Sequence, residues 1–228
     1  MNIVGYINAE LGIGEGARAN IKCLQSAGIE VSLINITSYS NHRELDYSFK
    51  EFADNNFSDI NLIHVNADTI PMLYVEKGRN FFKNKYNIGY WTWELSDFPD
   101  EWLQSFNYCD EIWVPSSFVI ASIAKKSPIP VLEIPIAISV NKLKDVKRSH
   151  FGLKNTDFIF LFIFDFLSYF ERKNPRGIVK AFKRAFLSSE NVRLVIKCCN
   201  SSFDPQAMDS LKDAAQDLNI DIIEARTD

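Results

Sequence analysis

The sequence has few cysteines, and none stands at a spacing that would hold a metal ion. The four cysteines are Cys23, Cys109, Cys198 and Cys199, and no two of them form a C-x-x-C pair. The neighbours Cys198 and Cys199 would point to opposite faces of a strand. These features argue against a zinc site and against a disulfide framework, so we expect reduced thiols, as in a cytoplasmic protein. The sequence predicts no metal and no other cofactor.

The chain also lacks an excess of positive charge, a signal peptide and a membrane-spanning run. Its 228 residues carry a net charge of −4, which argues against a broad basic surface for nucleic acid. The first residues, MNIVGYI, contain no basic segment followed by a long apolar one, so no secretory signal is predicted. The most apolar run, Phe158 to Phe164, is much shorter than the roughly 20 residues of a membrane helix. We expect a soluble cytoplasmic protein, for which peripheral contact with a membrane stays open.

Short apolar runs alternate with helical patterns along the chain, and this alternation is typical of βα units around a parallel sheet. The strands predicted for a first, Rossmann-like domain are Asn2–Asn8, Glu30–Ile36, Asn61–Val65, Tyr86–Trp91, Glu111–Val114 and Pro130–Ile134. A glycine-rich turn at Gly12–Gly16 precedes a helix predicted over Ala17–Ala27, which Gly28 closes. Ser116 is predicted to cap a helix that runs from Ser117 to Lys126.

A polar segment, residues 139–155, is predicted to link this domain (residues 1–138) to a second one (residues 156–228). The elements predicted for the second domain are strand Phe158–Phe164, helix Pro175–Leu187, strand Val192–Cys198, helix Pro205–Leu218 and strand Ile220–Ile223. Three strands make half of a doubly wound sheet, which is usually built from two βαβαβ halves. We therefore expect the second Rossmann-like domain to be incomplete in this chain, or completed by a second chain.

The glycine-rich turn, GIGEGA from Gly12 to Ala17, fits the pattern G-x-G-x-x-[GA] between a strand and a helix. Glycines there let the backbone approach an anion, and the helix start offers free amide groups. A dinucleotide site would also need an acid at the end of the second strand, for a ribose hydroxyl. That strand ends in LINITS, without an acid, which disfavours an NAD-dependent oxidoreductase. A turn that serves packing alone is the other interpretation.

Polar and aromatic side chains follow two further predicted strands, at the edge where open α/β sheets bind ligands. After the third strand, His64 could donate to a substrate hydroxyl or phosphate, or be a core histidine bonded to backbone. Asp68, further on, could cap the next helix. After the fourth strand, Trp93 suits stacking on a sugar or filling the core. Glu94 beside it could recognise an acceptor or pair with Arg18.

The segment DFLSYFERKNP, residues 165–175, joins the first strand and first helix of the second domain. Pro175 suits the first helical position and Asn174 the N-cap. Arg172 and Lys173 would then flank a helix N-terminus. Two cations at that place can neutralise a diphosphate without a metal. A solvated surface pair is the alternative.

Taken together, five segments resemble retaining glycosyltransferases of the family 4 type, which have the GT-B fold. They are GIGEGARAN, IHVN, WTWELSDFPDEW, CDEIWVPSSF and SYFERKNPRGIVKAF, and the resemblance spans nearly the whole chain. The resemblance implies an N-terminal domain that binds a glycan or lipid-linked acceptor, a C-terminal domain that binds a nucleotide sugar, and transfer with retention. A noncatalytic remnant or binding subunit is the alternative.

The resemblance also implies residue roles. Lys173, with Arg172 beside it, matches the basic group on the donor diphosphate, and Gly14 and Gly16 match the turn that faces the leaving group. His64 matches a strand-end histidine near the acceptor. We take His64 and Glu94 as candidate catalytic residues, and Asn66 and Trp93 as candidate acceptor-binding residues.

The chain departs from the family in two places. The Gly-Arg expected at the end of the first strand of the donor domain is replaced by FDFL, residues 164–167. The family's Glu-x7-Glu motif would lie beyond Asp228. We therefore expect this chain alone to bind a nucleotide sugar poorly.

Overall fold

A computed structural model of the protein describes residues 1–39, 44–53, 58–140, 145–216 and 219–224. Two compact units divide the chain, Met1–Asn141 (unit 1) and Lys142–Asp228 (unit 2). The strands are β1 Asn2–Gly5, β2 Ser32–Asn35, β3 Ile60–His64, β4 Tyr86–Tyr90, β5 Glu111–Val114, β6 Val131–Glu133, β7 Phe158–Asp165, β8 Val192–Cys199 and β9 Ile220–Glu224. The α-helices are α1 Gly12–Ser26, α2 Ile70–Lys77, α3 Arg79–Phe82, α4 Ser117–Ile123, α5 Phe170–Lys173, α6 Pro175–Ala185 and α7 Pro205–Ala215. Segments of 3-10 helix lie at Asp100–Tyr108, Arg148–Phe151 and Ser201–Phe203.

Unit 1 is a six-stranded parallel sheet in the order β2-β1-β3-β4-β5-β6. The central strands are buried on both faces; Ile3 and Val4 of β1, for example, point to opposite faces and are both fully buried. Burial on both faces is usual for a parallel sheet that helices cover on each side. The α/β class predicted from the alternation of apolar runs and helical patterns is confirmed.

Helix α1 begins at Gly12 rather than at Ala17, so the predicted glycine turn is in fact the first turn of the helix. The Glu15 amide donates to the Leu11 carbonyl at 2.9 Å and closes that turn. Tertiary contacts override the weak helix propensity of glycine at this place. The predicted end is confirmed, because Gly28 has φ +74° and its amide donates to a carbonyl of the last turn at 3.0 Å.

Three elements between β3 and β5 were not predicted in detail: α2, α3 and the 3-10 helix Asp100–Tyr108. The expectation that Asp68 caps the following helix was wrong. The N-cap of α2 is Thr69, and the Asp68 carboxylate accepts a hydrogen bond from the Thr69 hydroxyl at 3.1 Å. Ser116 does occupy the N-cap position of α4, although that helix ends at Ile123, earlier than predicted.

A ladder of buried asparagine side chains, which we call the amide ladder, joins the starts of β1, β3 and β4. Asn2 donates to Asn61 at 2.8 Å, and Asn61 donates to Asn87 at 2.8 Å. The two ends are held by backbone carbonyls, Ser58 at one end and Phe82 at the other. Because the three asparagines face each other in the parallel register, the ladder fixes the alignment of the central strands.

Substituting Asn61→Ala is expected to destabilise unit 1 by about 2–5 kcal/mol, because it leaves buried amide groups of two neighbours without their partners. Urea unfolding followed by tryptophan fluorescence measures this directly, since Trp91, Trp93, Trp102 and Trp113 all lie in unit 1. The exposed Asn80→Ala serves as the matched control and should change the unfolding midpoint little. Equal stability of the two variants would show that the amide ladder contributes nothing.

Unit 2 is a three-stranded parallel sheet in the order β7-β8-β9. Its two crossovers run in the same direction, so right-handed connections put α6 and α7 on the same face. Phe162, Phe164 and their neighbours pack beneath those helices. The other face carries Leu161 and Ile163, each 61% exposed. Unit 2 therefore presents one covered and one uncovered sheet face.

No helix among the described residues combines the length and the apolar character that crossing a membrane would require.

Candidate functional site

The carboxyl ends of the unit 1 strands form the edge where the predicted site residues of that unit lie. Strand β2 lies on one side of β1, whereas β3 and all later strands lie on the other. Connections therefore leave β1 and β3 in opposite directions, which creates the crevice where open α/β sheets bind ligands. The start of α1 and the segment after β3 flank this crevice.

The three glycines at the start of α1 are in different surroundings. A Cβ on Gly14 would lie 2.4 Å from the Tyr6 carbonyl oxygen and 2.7 Å from that of Ala9. Packing alone therefore requires glycine at position 14. A Cβ on Gly16 would lie 3.8 Å from its nearest neighbour, and one on Gly12 would have no atom of a described residue within 4 Å. The fold does not require glycine at those two positions.

Arg18 holds the loop between β1 and α1 in place. Its Nη1 donates to two carbonyls of that loop, at 2.7 and 3.0 Å. Its guanidinium also pairs with Glu15 at 2.9 Å and with Asp46 at 3.0 Å. The sequence had offered Glu94 as a partner for this arginine; the structure gives Arg18 these two acids.

His64 is a buried core histidine in this structure, which is one of the two interpretations that the sequence left open, and a contact with substrate stays a prediction. It is 1% exposed, its ring stacks on Tyr90 at 4.8 Å between centroids, and its Nε2 lies 3.4 Å from Nδ2 of Asn20. A Cβ on Gly5 would lie 2.9 Å from the His64 Cβ, so β1 packs closely against the base of this side chain. Burial lowers the pKa of His64 from 6.5 to about 3, and the ring is neutral at ordinary pH.

This buried ring predicts acid sensitivity of unit 1. Since the pKa of His64 is depressed in the folded state, the unfolded state binds the extra proton below pH 6.5. Stability falls as the pH drops from about 6.5 towards 3, at about 1.4 kcal/mol per pH unit from this residue. Urea unfolding of the native protein and His64→Gln at pH 6, 5 and 4 tests this. The variant should lose stability less steeply; parallel losses would contradict the prediction.

Asn66 connects the ends of β3 and β4. Its side-chain oxygen accepts hydrogen bonds from the backbone amide and the hydroxyl of Thr92, at 2.9 and 3.0 Å. Its own carbonyl accepts from the Thr69 amide at 3.0 Å. Half-buried at the carboxyl edge, Asn66 fixes the direction in which the segment after β4 leaves the sheet.

Trp93 and Glu94 follow directly on that segment. The Trp93 ring is half-buried, packs edge-on against Trp102 at 4.8 Å between centroids, and donates its Nε1 hydrogen to the Asp97 carbonyl at 2.8 Å. The Glu94 side chain is exposed. A fixed indole can stack on a sugar ring, and a carboxylate next to it can accept hydrogen bonds from the sugar hydroxyls.

Two polar residues of this edge escaped prediction, Asn20 and Thr92. Asn20 is buried on the face of α1 that also carries Ala17 and Ile21. Its position within the apolar stripe of α1 is the feature of the sequence that could have predicted a buried polar contact. Thr92 lies between two tryptophans in the sequence, and nothing in the sequence distinguished it.

The predicted start of α6 is confirmed in unit 2. Asn174 is the N-cap, with φ +53°, and its side-chain oxygen accepts from the Gly177 amide at 3.1 Å; Pro175 follows at the first helical position. A Cβ on Gly177 would lie 2.6 Å from that oxygen, so a larger residue there would displace the capping side chain. Arg172, exposed, and Lys173, half-buried, occupy the short helix α5 immediately before the cap.

Polar side chains at the carboxyl ends of β7, β8 and β9 form a second cluster that was not predicted. The Asp165 carboxylate accepts from the Leu167 amide and from Asn200 Nδ2, both at 2.9 Å. Glu224 accepts from the Ser201 hydroxyl at 2.6 Å. In the sequence, Asp165, Asn200 and Glu224 each stand at the end of an apolar run, and this position could have predicted the cluster. Within the described part of the chain, no group of three or more His, Cys, Asp or Glu residues is arranged to hold a metal ion.

The structure thus brings Asn66, Trp93 and Glu94 to one edge of unit 1, and Arg172 and Lys173 to the start of α6 in unit 2. Gly14 and Gly16 lie in the first turns of α1 in unit 1. His64 lies beneath the unit 1 edge rather than on it.

Comparison with known proteins identifies similar solved structures, while no protein-family model and no curated protein matches the chain. The whole chain superimposes on 69% of the lipopolysaccharide outer core galactosyltransferase WaaB in its apo form, with a TM-score of 0.51 and 14% identity. It also covers 67% of MurG from Acinetobacter baumannii, with a TM-score of 0.46 and 12% identity. Three quarters of the chain, 75%, covers 34% of a chain in the Gap123 complex from Streptococcus agalactiae, with a TM-score of 0.42 and 11% identity.

At these identities the similarity concerns the fold. The protein has an α/β fold of the GT-B type, as the sequence predicted and as the similarity to WaaB supports, and the chain covers 69% of the length of WaaB.

Proposed function

We propose that the protein is a nucleotide-sugar-dependent glycosyltransferase, which transfers a sugar to a glycan or lipid-linked acceptor with retention of configuration. The observation that carries this proposal is the cation pair Arg172 and Lys173, placed directly before the N-cap of α6 in a fold of the GT-B type. WaaB, which has this fold, is a galactosyltransferase. Family 4 is the class that the sequence motifs favour.

On the donor side, the two cations bind the diphosphate and stabilise the charge that develops as it leaves. Helix α6 adds the positive end of its dipole. The Gly177 amide is already bonded to the Asn174 side chain, so the side-chain cations carry most of this role. Charge-assisted hydrogen bonds of this kind suffice without a metal, and we propose no cofactor.

On the acceptor side, Trp93 stacks on a sugar ring, Glu94 accepts a hydroxyl hydrogen, and Asn66 holds the segment that bears both. Gly16 leaves room for a ligand at the start of α1, whereas the glycine at position 14 is explained by its packing against the Tyr6 and Ala9 carbonyls. His64 supports this edge from below as a neutral, buried ring. We assign no covalent intermediate; catalysis consists of positioning and electrostatic stabilisation.

A noncatalytic subunit that pairs with a second chain is the other candidate, and the uncovered face of unit 2 favours it. Leu161 and Ile163 are exposed there on a parallel strand, and parallel sheets are ordinarily covered on both faces. This candidate predicts that the isolated chain binds no nucleotide sugar.

Isothermal titration calorimetry with UDP-sugars, GDP-sugars and NAD tests the proposal. We expect saturable binding of at least one nucleotide sugar and weaker or no binding of NAD. Binding of NAD in preference to every nucleotide sugar would refute the assignment, and no binding of any of them would favour the noncatalytic subunit.

A further inference from the structure

We propose that a cavity at the amino ends of β4 and β5, at the opposite end of the unit 1 sheet from the candidate site, binds a phosphate-type anion. The cavity has a volume of about 190 Å³. The residues that line it include Tyr74 of α2, Arg79 of α3, Lys83 directly after α3, and Asn107 and Tyr108 of the 3-10 helix Asp100–Tyr108. This proposal does not depend on the glycosyltransferase assignment.

Two cations, Arg79 and Lys83, line the cavity. Arg79 begins α3 and Lys83 follows its last residue, so the two side chains are four residues apart and their like charges repel. Among the described residues, neither side chain has a hydrogen-bond or ion-pair partner. Both side chains are exposed, and a bound anion would neutralise their charges.

The residues that line the cavity also include hydrogen-bond donors, Tyr74 and Tyr108. The rings of Tyr74 and Tyr108 pack against each other at 4.6 Å between centroids, and neither hydroxyl is bonded to another described residue. The lining includes one acid, Asp110, whose Oδ2 already accepts from the Asn87 amide at 2.7 Å. Asp110 keeps its negative charge, and the two cations against this one carboxylate leave the lining with a net positive charge, which favours a ligand that accepts hydrogen bonds and carries negative charge.

The size of the cavity limits the ligand to a compact group. Pockets for drug-sized molecules occupy about 300–1,000 Å³, and this cavity is smaller. A phosphate group fits, either as the free ion or as the exposed end of a larger molecule that stays in solvent. Inorganic phosphate and the headgroup of an anionic lipid share this chemistry.

Titration of the 15N-labelled protein with inorganic phosphate, in a phosphate-free buffer, tests the site. We expect saturable shifts of the Arg79, Lys83 and Asn107 amides, with an affinity at least about tenfold weaker in the double variant Arg79→Gln/Lys83→Gln. The double variant Lys180→Gln/Arg184→Gln is the matched control, because it removes the same charges at the same spacing from an exposed face of α6. It should bind as the native protein does.

Vesicle flotation distinguishes the two sources of phosphate. Binding to vesicles with phosphatidic acid but not to pure phosphatidylcholine, lost in Arg79→Gln/Lys83→Gln only, would identify a lipid headgroup. Phosphate shifts without vesicle binding would identify a free ligand. Absence of saturable shifts at these amides, or equal loss in both double variants, would overturn the proposal. Phosphate shifts confined to Lys173 and Gly177 would overturn it as well, since they would report the donor site.

Discussion

The Gly14→Ala variant is expected to lose most of the stability of unit 1. Its new methyl group would lie 2.4 Å from the Tyr6 carbonyl oxygen and 2.7 Å from the Ala9 carbonyl oxygen. Both atoms belong to backbone that Arg18 and β1 hold in place, so neither can move as a flexible side chain would. Overpacking costs typically 1–3 kcal/mol, and contact with fixed backbone places this variant at about 3 kcal/mol or more.

Urea unfolding followed by tryptophan fluorescence measures the Gly14→Ala effect, with Gly12→Ala and Gly16→Ala as matched controls in the same helix turn. Neither control methyl meets an atom closer than 3.8 Å among the described residues, so both should be as stable as the native protein or slightly more so. Similar destabilisation by all three would show that the packing argument is wrong. Gly16→Ala also tests the site, because a stable variant with weakened donor binding would support ligand contact there.

The Lys173→Gln variant is expected to bind a nucleotide sugar about 10- to 100-fold more weakly, which corresponds to a lost charge-assisted hydrogen bond of about 1.5–3 kcal/mol. Lys173 is half-buried at the end of α5, next to the N-cap of α6, where the positive end of the helix dipole also favours an anion. Calorimetric titration with the nucleotide sugar that the native protein binds gives the affinities.

Lys180→Gln is the matched control for Lys173→Gln. Lys180 is exposed in the second turn of α6, and its removal changes the net charge equally. It should leave the affinity within about twofold, because an exposed charge outside the site is screened by solvent. An unchanged affinity in Lys173→Gln would remove that residue from the donor site, and an equal loss in both variants would reduce its role to general attraction of anions.

Much of the fold could be predicted because local patterns and tertiary structure agree. The strands β1, β4 and β5 begin at the predicted residues, because each contains apolar residues that the sheet buries. The N-cap at Asn174 followed from the fixed φ of Pro175 and the acceptor in its side chain. The early start of α1 was missed because glycine is a poor helix former, and the contact of Gly14 with the Tyr6 carbonyl is not visible in the sequence. The end predicted for α7, Leu218, lies outside the described residues.

Prediction of the candidate site was less complete, for a physical reason. The sequence places a residue at a strand end but does not say how deeply its side chain is buried. The sequence places both His64 and Glu94 at the carboxyl edge of the sheet. In the structure, however, His64 is 1% exposed beneath α1, whereas Glu94 is exposed. Burial depends on the helix that crosses above, and Asn20 of that helix supplied the partner that the sequence could not identify. The roles of Glu94, Asn66 and Trp93 stay predictions.

The most direct test of the central claim is an NMR titration of the 15N-labelled protein with the nucleotide sugar that binds most tightly. The account predicts saturable shifts of the Lys173, Asn174 and Gly177 amides at the start of α6, which Lys173→Gln weakens and Lys180→Gln does not. Saturable shifts elsewhere in the protein, with these amides unchanged, would contradict the assignment of a nucleotide-sugar site to this turn.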